Sequence, residues 1–295
     1  GLVGRSSGLI EYFVYFWGIA RADIAYLPKG EIDDFCRSVA KIFKTKLFTT
    51  VEGKLDGDDT SESYKKHLHH YTKYEPNLFA ITHFLSKDVG ARRGYKFNNE
   101  VLYLGVKSEA FICPLRQYDG LSDIIFIGNT PSIKNIDDFF YVAKECKHLK
   151  FHIVGGADLK DCTIPEYIER EHLDNITYHG RLDHSQLSEL LSKIDLMYFP
   201  SRSEGFPKVQ LETACAGVPT LCYGDYGALE WIDNSVNGIV VGNKEEALLK
   251  IRELEKDPDK LHRLSENAVA LGKNYDWSKL VKTWERAILK MCAKK

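Results

Sequence analysis

The sequence predicts an α/β protein of two domains, each built on a parallel sheet with helices on both faces. Three observations lead there. In the second half, short and nearly continuous apolar runs alternate with amphipathic stretches. This is how strands buried on both faces and joined by helical crossovers read. The first half repeats the alternation with weaker signals, and 295 residues suit two domains of ordinary size.

In chain order, the first half carries helical patterns near 8–20, 31–43, 62–74 and 84–92, and strand patterns at 23–27, 46–51, 78–82 and 100–104. A less regular stretch, 106–122, holds Pro114 and Gly120 and reads as the connection, so the expected domains are 1–118 and 119–295. The second half offers strands at Ile124–Gly128, Phe151–Gly155, Ile176–Gly180, Leu196–Pro200, Thr220–Tyr223 and Gly238–Val241. Helices fit 136–147, 165–172, 184–193, 207–216 and 228–233 between them. From Lys244 to Cys292 the pattern is helical, broken at Asp257-Pro258 and at Asn274–Asp276.

Composition narrows the function classes. Hydrophobic residues at 44% are enough for substantial cores, and a net charge of −2 gives no global reason to expect nucleic acid. The seven cysteines include no CxxC pair, which points to a reducing, cytoplasmic setting and away from a disulfide framework or zinc ribbon. The aromatic run Tyr12–Ala20 is too short to span a bilayer, which leaves peripheral contact with a membrane surface open. Trp17 and its neighbours are expected in core or interdomain packing. The chain opens on Gly-Leu-Val and not Met, so the first domain is expected to be incomplete or processed.

The segment Pro200–Thr220, PSRSEGFPKVQLETACAGVPT, carries the most chemistry. It reads as a strand end, a polar loop, and a helix whose limits are set by Pro207 in the first turn and by Gly217 and Pro219 at the stop. Gly205 lets a ligand approach the backbone just ahead of free helix N–H groups, which suits a phosphate. Glu204 and Glu212 bracket this feature. From Pro207 to Glu212 the helix rises roughly 7–8 Å, so a diphosphate over the helix mouth would have its sugar near Glu204 and its ribose near Glu212. A carboxylate accepts hydrogen bonds from both hydroxyls of a diol, as ribose recognition requires.

EGFPKVQLE resembles the E-x7-E motif of the retaining glycosyltransferases of family GT4 (glycosyl transferases group 1), whose fold is GT-B: two Rossmann-like domains facing a central cleft. FIGNTPSIKN is similar to that family's G-R-x4-K-G phosphate loop, and FHIVGGA to the strand and glycine turn that follow. ITYHGRLDHSQLSELLSKIDLMYFPSRSEGFP matches the base-binding loop, helix, strand and motif loop in order, and YGALEWIDNSVNGIVV resembles the segment after the motif. The order of several motifs over about 170 residues is what gives the resemblance its weight.

The resemblance implies transfer of a sugar from a nucleoside-diphosphate donor with retention, no metal and no cofactor, and an acceptor that is a glycan, a lipid-linked group or a small molecule. Glu204 would contact donor sugar hydroxyls and Glu212 the ribose. Lys134 would neutralise the leaving diphosphate together with the amides of Gly205 and Phe206 ahead of Pro207. Gly155 would line the donor site, and Arg181 and Leu182 would flank the base. Glu230 falls on the family's glutamate. The family's phosphate-loop arginine corresponds to Asn129, which carries no charge. The first half is similar only to the later part of the family's acceptor domain, through THFLSKDVGARRG. A nucleotide-sugar-binding protein of weak activity is therefore the rival reading. A dinucleotide oxidoreductase is disfavoured because no GxGxxG opens a helix after a strand. The Asp56-Gly57-Asp58-Asp59 run and the His67-Leu68-His69-His70 cluster read as a solvated turn and a polar helix surface.

Overall fold

The computed structural model describes residues 8–27, 33–54, 71–114, 118–129, 134–156, 159 and 161–293. The Asp56–Asp59 run, the His67–His70 cluster and most of the helix expected at 62–74 lie outside them. The chain divides into two compact units, 1–103 with 280–295, and 104–279. The sequence placed the boundary near 118 and kept the C-terminal helix with the second half.

In the first unit, α1 (Gly8–Arg21), β1 (Ile24–Tyr26), α2 (Asp33–Phe43), β2 (Lys46–Val51), β3 (Leu78–Ala80) and α3 (His83–Arg93) follow one another. The three strands pair in parallel in the order β1-β2-β3. Thr82 caps α3 by accepting the Leu85 N–H, and Gly94 closes it in the left-handed conformation. The strand expected at 100–104 does not form. A single parallel bridge joins Ala80 and Val101, and the Tyr103 carbonyl accepts the Trp284 indole N–H at 2.8 Å instead of a strand neighbour. Trp17 is 49% exposed and stacks on Phe13, so of the core or interdomain packing expected for it, the core place is not taken. Ile19 takes that place on α1, at 2% exposure.

The second unit holds β4 (Asp123–Ile127), α4 (Ile136–Glu145), β5 (Lys150–Val154), α5 (Ile164–Arg170), β6 (Ile176–Gly180), α6 (His184–Leu191), β7 (Leu196–Phe199), α7 (Lys208–Cys215), β8 (Thr220–Tyr223), β9 (Gly238–Val241), α8 (Lys244–Leu254) and α9 (Pro258–Asn274). Its six strands run in parallel in the order β6-β5-β4-β7-β8-β9. The order reverses between β4 and β7, where doubly wound sheets open a crevice beyond their carboxyl ends.

Local sequence explains the helix starts. Thr163 with Glu166, and Asp183 with Gln186, form capping boxes for α5 and α6. Asn243 and Asp257 cap α8 and α9, the latter with Pro258 in the first turn. One continuous core runs under the sheet, from Phe126, Phe139 and Phe151 to Tyr198, Leu221 and Leu254. The buried Asp195 carboxylate accepts the Ser122 and Asp123 N–H groups and so fixes the start of β4 against the turn before β7.

The last helix, α10 (Trp277–Ala293), carries Ala287 and Met291 into the first unit's cluster with Phe48, Phe79 and Leu102. That apolar stripe is why 280–295 belongs with the first unit.

Candidate functional site

Because β6, β5, β4 and β7 are neighbours, the loops after these four strands succeed one another along one edge of the sheet. They carry almost every residue singled out above: Asn129 and Lys134 after β4, Gly155 after β5, Arg181 and Leu182 after β6, and Glu204 to Pro207 after β7.

Lys134 and Glu204 meet. The Lys134 ammonium lies 2.5 Å from Glu204 Oε1, with side chains only 16% and 15% exposed. The same Nζ sits 4.6 Å above the Phe199 ring, at the end of β7. The lysine stem crosses Gly128: a Cβ there would stand 2.4 Å from Lys134 Cδ. Asn135, next to Lys134, takes the left-handed conformation, and its amide donates to Asp138 at 2.6 Å. Asp138 also accepts the Tyr223 hydroxyl at 2.6 Å. Sequence reasoning missed this anchorage, which joins residues far apart in the chain.

Gly155 packs on the neighbouring strand end. A Cβ on it would come within 1.9 Å of the Gly128 carbonyl oxygen, and its φ is +156°. The Arg181 side chain lies across Gly156, where a Cβ would meet its Nε at 2.0 Å. Arg181 and Asn129 are exposed, and Leu182 is half-buried.

Pro207 occupies the cap position of α7, one residue earlier than the first-turn place expected, and no side chain caps the helix. The first N–H groups of α7 therefore have no side-chain acceptor, which leaves the positive helix end available to an anion. Phe206 is buried, its ring edge-on to Trp231 at 4.9 Å and 5.6 Å from Tyr275.

Glu212 stands apart from the Lys134–Glu204 pair. It makes no hydrogen bond among the described residues, and burial raises its pKa against the smaller opposing effects of His184 and Lys208. A half-buried carboxylate with no hydrogen bond to offset its burial is costly to keep. Glu230 ends a short 3-10 turn, Ala228–Glu230, entered through Gly227 at φ 81°. Nearby Tyr275 is pushed up to about 12 by burial, with a smaller contribution from the Glu230 charge.

Sequence reasoning also missed Gln210, Tyr226 and Trp231. Gln210 is fully buried on α7. A polar side chain among the buried positions of a helix that also buries Leu211, Ala214 and Cys215 was the available signal. No group of three or more metal-ligating side chains occurs among the described residues. No described helix is long and apolar enough to cross a membrane.

The chain matches solved structures of GT-B glycosyltransferases. HepE of Anabaena in complex with UDP aligns with a TM-score of 0.81 at 16% identity, over 97% of this chain and 84% of that one. Sucrose-phosphate synthase of Thermosynechococcus elongatus aligns at 0.78 and 16% identity, over 100% and 81%.

Among curated proteins, an uncharacterized glycosyltransferase of Methanocaldococcus jannaschii is 26% identical over 183 residues, 61% of this chain and 50% of that protein. The alpha-galactosylglucosyldiacylglycerol synthase of Streptococcus pneumoniae is 29% identical over 178 residues, 58% of this chain and 47% of that protein. The chain thus spans about half the length of these curated relatives. The pattern of the glycosyl transferases group 1 family matches residues 109–270, more than half of the chain and all four motif loops, and the chain belongs to that family.

Proposed function

We propose that this chain is the donor-binding part of a retaining, metal-independent glycosyltransferase that takes its sugar from a nucleoside diphosphate. The observation that carries the reading is the Lys134–Glu204 pair, 2.5 Å apart at the reversal point of the sheet. A diphosphate over the first turn of α7 would meet the Lys134 charge and the amides of Gly205 and Phe206. Glu204 would then accept from hydroxyls of the sugar. As the bond from the anomeric carbon to the diphosphate oxygen breaks, negative charge grows on the leaving group. Oriented donors and a fixed cation stabilise that charge at little reorganisation cost, and Lys134 with the helix end supplies what a metal would otherwise provide.

Glu212 lies farther along α7, where a ribose diol would give its carboxylate the hydrogen bonds it lacks. HepE was solved with UDP and the pneumococcal relative is named for a glycolipid product. The first supports a uridine nucleotide and the second a role in glycolipid assembly. Asn129 favours the second reading, a nucleotide-sugar-binding protein of weak activity. The test is thermal unfolding with UDP, GDP and ADP, with and without Glu212→Ala. A ligand at about a hundred times its Kd stabilises a fold by roughly 2.7 kcal/mol. A shift with one nucleotide, lost in the variant, is expected; no shift with any of them sinks both readings.

A further inference from the structure

Behind the motif loop lies a buried polar chain that the donor-site reading leaves unused. The Trp231 indole N–H donates to Gln210 Oε1 at 2.9 Å, and Gln210 Nε2 donates to the Tyr226 hydroxyl at 2.7 Å. The Cys222 thiol neighbours the Tyr226 hydroxyl. An indole N–H only donates, so the amide has a single orientation that satisfies both neighbours. Gln210 and Tyr226 are fully buried, and Trp231 is 5% exposed. Burial pushes Cys222 up to about 12 and Tyr226 well above its ordinary value, so both stay neutral. Glu204 is the charged group whose field reaches Tyr226.

The chain has two ends that matter. Gln210 sits on α7, two residues before Glu212. Trp231 directly follows Glu230 and presses edge-on against Phe206 at 4.9 Å, the residue whose amide precedes α7. One amide therefore ties the helix that bears Glu212 to the turn that bears Glu230, whose Trp231 packs on Phe206. A buried hydrogen-bonded chain holds one geometry, and losing one member strands the others.

We infer that Gln210 is a positioning residue of the donor pocket: its amide locks the 224–231 turn onto α7 so that Phe206, Glu212 and Glu230 face a nucleotide in fixed relation. The inference rests on the donor-site reading.

The test measures UDP, GDP and ADP affinity by Trp fluorescence in wild type, Glu212→Ala, Gln210→Met, Gln210→Glu and Trp231→Phe. Gln210→Met keeps volume without hydrogen bonds and is expected to weaken nucleotide binding about tenfold. Trp231→Phe keeps the ring packing, removes the N–H, and is expected to lose less. Gln210→Glu supplies a readout that plain destabilisation does not move. Its neutral acid accepts from Trp231 and donates to Tyr226 as the amide does, so affinity relative to wild type is expected to recover as pH falls. Wild-type affinity in Gln210→Met, with binding lost in Glu212→Ala, overturns the role of Gln210 alone. A Gln210→Glu deficit that does not change with pH also overturns it. No nucleotide binding by wild type removes the donor site and this inference together.

Discussion

The Lys134 ammonium and the Glu204 carboxylate lie 2.5 Å apart over the Phe199 ring, mostly shielded from water. The pair comes from loops on either side of the reversal point, and each side chain is the other's counter-charge. Truncating one leaves a shielded charge uncompensated, which costs more than removing both. Lys134→Ala and Glu204→Ala should each lower Tm, and the double variant should lose less than the sum. The coupling expected is roughly 0.5–3 kcal/mol. Additive losses in a denaturant-unfolding cycle would show the contact to be energetically idle.

The same contact bears on ligand selection. A diphosphate must compete with Glu204 for Lys134, whereas the sugar hydroxyls offer Glu204 new partners. Glu204→Gln should therefore tighten binding of the bare nucleoside diphosphate and erase any preference for the sugar-bearing form. Calorimetry with UDP and a UDP-sugar compares the two, and weaker UDP binding in the variant would remove the idea of competition.

Glu212 predicts a pH dependence whose sign is fixed by burial. Its carboxyl is raised above the ordinary 4.5 because folding shields the charged form. The proton is bound more tightly in the folded state, so stability tied to Glu212 is fully present below the ordinary value and is lost as pH rises through the raised one. Glu212→Gln should be more stable than wild type near neutral pH, with the difference closing as the solution is acidified. The same variant should lose nucleotide binding, since an amide cannot accept from both ribose hydroxyls through two charged oxygens. A stability difference that ignores pH would assign the gain to packing alone.

Much of this architecture is legible in the chain because parallel strands declare themselves. Ile176–Gly180, Thr220–Tyr223 and Gly238–Val241 form at the expected residues, the last two as apolar runs closed by a glycine turn. The breaks at Asp257-Pro258 and Asn274–Asp276 also fall where α9 begins and ends. The stretch 100–104 misled because its apolar pattern serves helix packing: Trp284 claims the Tyr103 carbonyl. The motif residues could be found one by one, but the Lys134–Glu204 contact joins positions 70 residues apart. Gln210 was passed over for the same reason, since its partners Tyr226 and Trp231 come from another loop.

Two glycines separate folding from binding. At Gly155 a methyl group would collide with the Gly128 carbonyl at 1.9 Å, a backbone atom held by the sheet. Gly155→Ala should cost several kcal/mol, on the order of the largest single-site effects, and lower Tm sharply. At Gly128 the methyl would meet the movable Lys134 stem at 2.4 Å. Gly128→Ala should keep most of the stability but displace the ammonium, weakening nucleotide binding more than folding. Equal losses of Tm in the two variants would contradict this division.

Asn129 offers the decisive comparison between the enzyme and the weakly active binding protein. It is exposed beside the Gly128–Gly155 contact, where the family resemblance places an arginine. An amide gives neutral hydrogen bonds, whereas a guanidinium gives a charged fork that fits phosphate oxygens. If diphosphate departure is limited by missing positive charge, Asn129→Arg should raise donor hydrolysis or transfer about tenfold, equivalent to roughly 1.4 kcal/mol of added stabilisation. Nucleotide affinity should rise in step, because the new charge is felt by the bound diphosphate as well as by the departing one. Tighter binding without any turnover would show that charge at position 129 is not what limits the chemistry, and would move the binding-protein reading into first place.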